Sequence, residues 1–252
     1  MSKFPYTRPL AAETEHTMSL TVLLVHGAFA DGSSWQKIIP RLQAAGLATA
    51  AVPNPLRGLS FDGEYVASYV SQVPGDVLLV GHSYGGPVIT YASSTAENVK
   101  GLVYVASFGL EKGMSVLESV ADFPESELSS ALQPWSYPGS EQPEFSIQVD
   151  KYRSAFAGDV SDEEAATGAA NQRPAAAIGL GEPLAVEPGW KRVPSWWVLS
   201  AADNTINPDS QRAAAERVGA TLTVIEGGSH SIAISRPDEV AEVIIAAARS
   251  LE

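Results

Sequence analysis

Six short apolar runs, at residues 20–25, 47–52, 77–80, 102–106, 196–199 and 222–225, punctuate the chain. They are continuous and rich in β-branched residues, the pattern of strands covered on both faces in a parallel sheet. Between them, residues 34–45, 63–73, 85–95, 208–218 and 237–250 carry apolar side chains at three-to-four spacing and predict helices. In the last helix Val240, Val243, Ile244 and Ala247 share one face, which Asp238, Glu239, Glu242 and Arg249 avoid. Asn207 as N-cap, Pro208 at the first helical position and Gly219 beyond Val218 bound the helix before it. Strand and helix in alternation predict an α/β fold, a doubly wound, mostly parallel six-stranded sheet with right-handed crossovers.

The alternation fails once. Residues 109–190 show no strong strand pattern, and Pro124, Pro134, Pro138, Pro143, Pro174, Pro183 and Pro188 divide short helical patches. One patch opens on a capping box from Ser161 to Glu164. A structureless loop of that length does not fit a compact domain, so the segment reads as a helical cap inserted over the sheet of one domain, residues 20–252. Residues 1–19 read as a flexible extension without a function, His16 included. They hold no apolar stretch of signal-peptide length, and no run of about 18 apolar residues follows, so the expectation is a cytoplasmic protein with no membrane partner.

Composition narrows the chemistry. The 252 residues are enough for one sizeable core, and 16 Lys and Arg against 29 Asp and Glu give a net charge of −13. Such a surface repels phosphate backbones, which argues against a nucleic-acid partner. The absence of cysteine removes disulfides, thiol nucleophiles and Cys-ligated metals, and the four histidines show no paired spacing. No metal and no cofactor are expected, although a carboxylate-only cation site stays formally open.

The strongest local signal is Gly81-His82-Ser83-Tyr84-Gly85, a G-x-S-x-G pattern between a strand run and a helix. A sharp strand-to-helix turn projects the serine hydroxyl above the strand ends, and flanking glycines remove the clashes such a turn creates. A serine hydroxyl is a weak nucleophile and needs a base and an orienting acid. His230, in Gly227-Gly228-Ser229-His230-Ser231 beyond the last strand run, is the candidate base, with His26 and His82 as competitors. Asp203, following the run at 196–199, is the candidate acid, with Asp209 and Glu226 as rivals. Backbone N–H groups of Ala28, alternatively Phe29, and of Tyr84 can form an oxyanion hole.

With these stretches the chain resembles the α/β-hydrolase superfamily, and more narrowly its small bacterial esterases and plant methyl-ester esterases. The likeness is carried by HGAFADGSSW at 26–35, GHSYGG at 81–86, ADNTINP at 202–208 and GGSHSIAISRP at 227–237, and it weakens in the insertion. The resemblance implies a sheet that begins at the superfamily's third strand, without an early antiparallel hairpin, and a cap after its sixth. It also implies a triad of Ser83, Asp203 and His230 with oxyanion donors at Ala28 and Tyr84. The chain departs from its relatives at Asn204-Thr205-Ile206-Asn207-Pro208, where they often carry a basic residue after the aspartate and a second proline.

The expected function is therefore hydrolysis of small carboxylic esters through an acyl-enzyme on Ser83. Lactonase, perhydrolase and hydroxynitrile-lyase chemistry use the same serine and stay open, as does small-ligand binding with little turnover. An aspartate nucleophile, as in dehalogenases and epoxide hydrolases, is excluded at a position held by serine. Phe108, Phe123, Trp135, Phe145, Tyr152, Phe156 and Trp190 suggest an apolar lid and an ester with an apolar group. They suit the lid's own core equally well and are assigned no pocket role. A homodimer is compatible with such a lid.

Overall fold

The computed structural model describes residues 20–251, so the extension expected over 1–19 lies outside the described residues. Six strands, β1 (Thr21–Val25), β2 (Ala48–Val52), β3 (Val77–His82), β4 (Val99–Val105), β8 (Ser195–Ser200) and β9 (Thr221–Ile225), form one sheet. Their order is β2-β1-β3-β4-β8-β9, parallel throughout. The remaining strands, β5 (Leu132–Trp135), β6 (Glu144–Ile147) and β7 (Ala175–Ala176), form a separate antiparallel sheet between β4 and β8. The helices are α1 (Ile39–Ala44), α2 (Leu59–Ser71), α3 (Gly85–Ala92), α4 (Val116–Val120), α5 (Leu128–Ala131), α6 (Val149–Phe156), α7 (Asp162–Ala170), α8 (Ile178–Gly181), α9 (Pro208–Val218), α10 (Ile232–Ser235) and α11 (Pro237–Arg249).

Burial on both faces explains the unbroken apolar runs. Leu23, Val25, Leu79, Leu102, Tyr104 and Trp197 enter one core, and Val22, Leu24, Leu78, Val80, Val103 and Val198 enter the other. Every residue of β3 is buried, and each fully buried valine or leucine there contributes about 1.5–3 kcal/mol. The first core continues into the inserted segment through Tyr152, Phe156, Ala165 and Ala175.

Two local expectations are corrected. The helix expected over 34–45 is two pieces, a 3₁₀ turn at Gly32–Trp35 and α1, in which Pro40 occupies the first turn. Proline has no N–H and its ring clashes with the preceding turn, so a helix starts at it and does not run through it. The cap is not purely helical either, because it includes the three short antiparallel strands β5–β7.

The sheet order positions the site. The chain runs from β1 outward to β2 and then returns to β3 on the other side of β1, which makes a topological switch point at the carboxyl ends of β1 and β3. Val25 pairs with Gly81, so the loop after β1 and the turn after β3 emerge side by side. Ser200 pairs with Ile225, which does the same for the loops after β8 and β9.

Candidate functional site

Ser83 stands on the turn that joins β3 directly to α3, with φ of 53°. That left-handed conformation is uncommon outside glycine, and the surroundings over-determine it. Ser83 N–H donates to Val105 O at 3.0 Å, while its carbonyl accepts from Gly86 N–H at 2.9 Å and from the Ser107 hydroxyl at 2.6 Å. Two glycines permit the close approach. A Cβ on Gly81 would lie 2.5 Å from Gly85 O, and one on Gly27 would lie 2.7 Å from the Ser83 Cβ.

The loop after β1 is braced by His26. Its Nδ1 donates to Gly27 O at 2.9 Å, and its Nε2 accepts from Asn54 N–H at 3.0 Å, which settles the tautomer. Burial pulls this imidazole down from 6.5 to about 4 and keeps it neutral. The backbone N–H groups of Ala28 and Tyr84 donate to no described residue, and both flank Ser83. Tyr84 is fixed through its side chain, whose hydroxyl donates to Asp62 Oδ2 at 2.9 Å. Asp62, fully buried in the first turn of α2, also accepts from Arg57 N–H at 3.0 and 3.1 Å. Burial raises the Asp62 carboxyl despite these donors, and burial followed by the charge of Asp62 raises the Tyr84 phenol well above its ordinary value.

Asp203 and His230 meet. His230 Nδ1 lies 2.7 Å from Asp203 Oδ2, and both side chains are fully buried. Asp203 accepts three further hydrogen bonds: from Thr205 N–H at 2.8 Å and Ile206 N–H at 2.9 Å on Oδ1, and from Gln211 Nε2 at 2.8 Å on Oδ2. An acceptor-only carboxylate opposite Nδ1 makes that nitrogen the donor and leaves the lone pair on Nε2. Nε2 of His230 has no partner among the described residues. Ser200 Oγ, 2.5 Å from Gly228 O and 2.7 Å from Ser229 O, ties the histidine loop back to β8.

His82 packs edge-on against Trp35, with ring centroids 6.2 Å apart. Its Nε2 donates to His230 O at 2.9 Å, and its ring lies 4.7 Å from that of His230. Burial, then the neighbouring His230, lowers it from 6.5 to about 3. The candidate nucleophile thus sits one residue from the His82–His230 contact, although no hydrogen bond joins Ser83 Oγ to His230 Nε2 here.

The C-terminus of α6 is bolted to both loops. Asn204 Nδ2 donates to Ser154 O at 3.1 Å, the Thr205 hydroxyl to Ala155 O at 2.6 Å, and Ser231 N–H to Phe156 O at 3.0 Å. Carbonyls at a helix end lack partners within the helix, and the acid and histidine loops supply them. The Asn204–Thr205 stretch after Asp203 is part of this junction.

The rivals stand apart. Asp209 is exposed in the first turn of α9, and Glu226 is exposed at the end of β9. His16 lies outside the described residues. Sequence reasoning missed Gln211, Asp62 and Ser107, polar residues whose importance arises only from burial against the site, and it gave Phe156 no role there. Phe156 packs edge-on against His230 at 4.7 Å.

A family model described as the alpha/beta hydrolase family matches residues 22–243. The chain is 26% identical to methylesterase 8 of Arabidopsis thaliana, over 94% of this chain and 92% of that protein. It is 25% identical to a pyrethroid hydrolase of Sphingobium wenxiniae, over 88% of this chain and 85% of the other. The crystal structure of another Arabidopsis methylesterase superposes with a TM-score of 0.77 at 21% identity, covering 92% of this chain and 99% of that one.

Proposed function

Because the chain belongs to the alpha/beta hydrolase family, we propose that it is a serine hydrolase that cleaves small carboxylic esters through an acyl-enzyme on Ser83. The observation that carries this reading is the His230 ring, held at Nδ1 by Asp203 and unpartnered at Nε2. The names of the relatives, methylesterase and pyrethroid hydrolase, support ester hydrolysis as the general reaction.

In this mechanism His230 Nε2 takes the Ser83 proton as Oγ attacks the ester carbonyl. Asp203 keeps the ring in the required tautomer and stabilises the imidazolium that forms. The oxyanion accepts from the N–H groups of Ala28 and Tyr84, with the N-terminus of α3 adding a favourable dipole. His230 then gives its proton to the departing alcohol, and the same base activates the water that releases the acid. Catalytic hydrogen bonds are commonly long until the reacting complex forms, which suits the open Ser83–His230 pair.

The test is Ser83→Ala. Turnover of a p-nitrophenyl ester is expected to fall by about 10⁴-fold or more, with the circular dichroism spectrum unchanged. A folded variant that retained most of the activity would overturn the mechanism.

A further inference from the structure

A cavity of about 310 Å³ lies between the Gly32–Trp35 turn, α7 and α10. Small-molecule sites run from about 300 Å³ upward, so this one, at the lower end, suits a group of one or two fused rings. Its wall includes Phe29, His82 and Ser231, the chain neighbours of Ala28, Ser83 and His230, but neither Ser83 nor His230 itself. Phe156 fills the gap. Its ring centroid is 4.7 Å from that of His230 at 70°, and 6.4 Å from those of Phe29 at 79° and His82 at 88°. The Phe156 carbonyl accepts from the N–H and hydroxyl of Ser231, which fixes the backbone, so opening the gate requires a change of side-chain rotamer alone. Phe29 completes the partition with φ of 62°, a conformation rare for a bulky residue.

We propose that this cavity receives the alcohol portion of an uncharged ester of aromatic size, and that the Phe156 ring is the gate joining it to Ser83 and His230. The proposal rests on the hydrolase reading. The departing oxygen must take its proton from His230 Nε2, so the alcohol leaves on the histidine side, where Phe156 and Ser231 border the cavity. Charge selects within that class. Asp31, Glu163 and Glu164 line the cavity, Glu164 being paired with Lys37 at 2.6 Å, and among the described residues no lysine or arginine lines it, so the unpaired Asp31 and Glu163 disfavour an anionic alcohol group.

The experiment compares ethyl, benzyl and 2-naphthylmethyl acetates, which share the acyl group and differ little in leaving-group acidity, with 4-carboxybenzyl acetate as the anionic control. Phe156→Ala removes the gate. Thr167→Trp narrows the cavity from an exposed position on α7 and guards against a variant that fails to fold. The ratio of kcat/KM for the naphthylmethyl over the ethyl ester is expected to rise about tenfold in Phe156→Ala and to fall about tenfold in Thr167→Trp, with benzyl favoured over carboxybenzyl in the wild type. Calorimetric binding of benzyl alcohol, expected to weaken in Thr167→Trp, reads the cavity without turnover. Size ratios and alcohol binding that both stay within about twofold of wild type, in protein whose Ser83 labels with a fluorophosphonate, would overturn the cavity assignment. Thr167-dependent alcohol binding in protein whose Ser83 does not label and which hydrolyses no ester would overturn the hydrolase reading instead, and support the cavity.

Discussion

Gln211 Nε2 donates to Oδ2 of Asp203 at 2.8 Å, the same oxygen that accepts from His230 Nδ1 at 2.7 Å. The amide also bridges Ile206 O at 3.0 Å and Ser200 N–H at 3.3 Å, so one buried side chain on α9 fixes the carboxylate relative to both β8 and the acid loop. Gln211 is therefore a positioning residue for the proposed acid. Gln211→Leu keeps the volume and removes the donor. Since a hydrogen bond to a charged group is worth about 1.5–3 kcal/mol, kcat is expected to fall roughly 10- to 100-fold with KM little changed. Steady-state kinetics check this, and a rise in KM at constant kcat would contradict the positioning role.

The buried histidines make stability depend on pH. His26 is held near 4 and His82 near 3, chiefly by burial, against 6.5 when unfolded. Between these values the unfolded chain binds more protons, so stability is fully present above about 6.5 and is lost as the pH falls toward the folded values. For His26 the loss amounts to about 3 kcal/mol over the window. His26→Gln is expected to be less stable at pH 7, with the gap to wild type narrowing as the pH drops to 4.5. Urea midpoints measure it, and a gap independent of pH would count against the buried neutral imidazole.

Tyr84 ties the elbow to α2 through Asp62. Tyr84→Phe leaves a buried carboxylate one donor short, at a cost of about 1–3 kcal/mol in chemical denaturation. Because the backbone N–H of residue 84 is the proposed oxyanion donor, kcat is expected to fall as well. A variant as stable and as active as wild type would show that the contact anchors nothing.

Gly27 faces Ser83 so closely that an added methyl would meet the serine Cβ at 2.7 Å. Both atoms belong to backbone-anchored positions, and neither can rotate away. Gly27→Ala is expected to cost about 1–3 kcal/mol, the usual range for overpacking, and to displace the Ala28 N–H. Thermal melts and ester turnover should fall together. An unchanged melting temperature would mean that the loop can move apart from the elbow.

Local signals were legible where one element decides the outcome. The bounds of α9 follow from Asn207 as N-cap, Pro208 at the first position and Gly219 with φ of 68°, all visible in the chain. The six strands announced themselves because burial on both faces demands unbroken apolar runs. The strands of the cap did not. They are two to four residues long, β5 contains Pro134, and β6 and β5 are only partly buried, so no period develops. The chain order and glycine pattern singled out Ser83, Asp203 and His230, and the structure brings the last two into contact. Gln211, Asp62 and Phe156 were not legible as site residues, because their partners lie on other elements and only the packed fold brings them together.

The proposed acyl-enzyme is open to direct observation. Protein mixed with an excess of p-nitrophenyl ester, quenched with acid within milliseconds and weighed intact, is expected to carry one acyl group, mapping by peptide digestion to Ser83, that disappears as substrate is exhausted. In His230→Ala the same mass should accumulate far more slowly. Ester hydrolysed at the wild-type rate with no acylated chain at any quench time, or with the acyl group on another residue, would contradict covalent catalysis by Ser83.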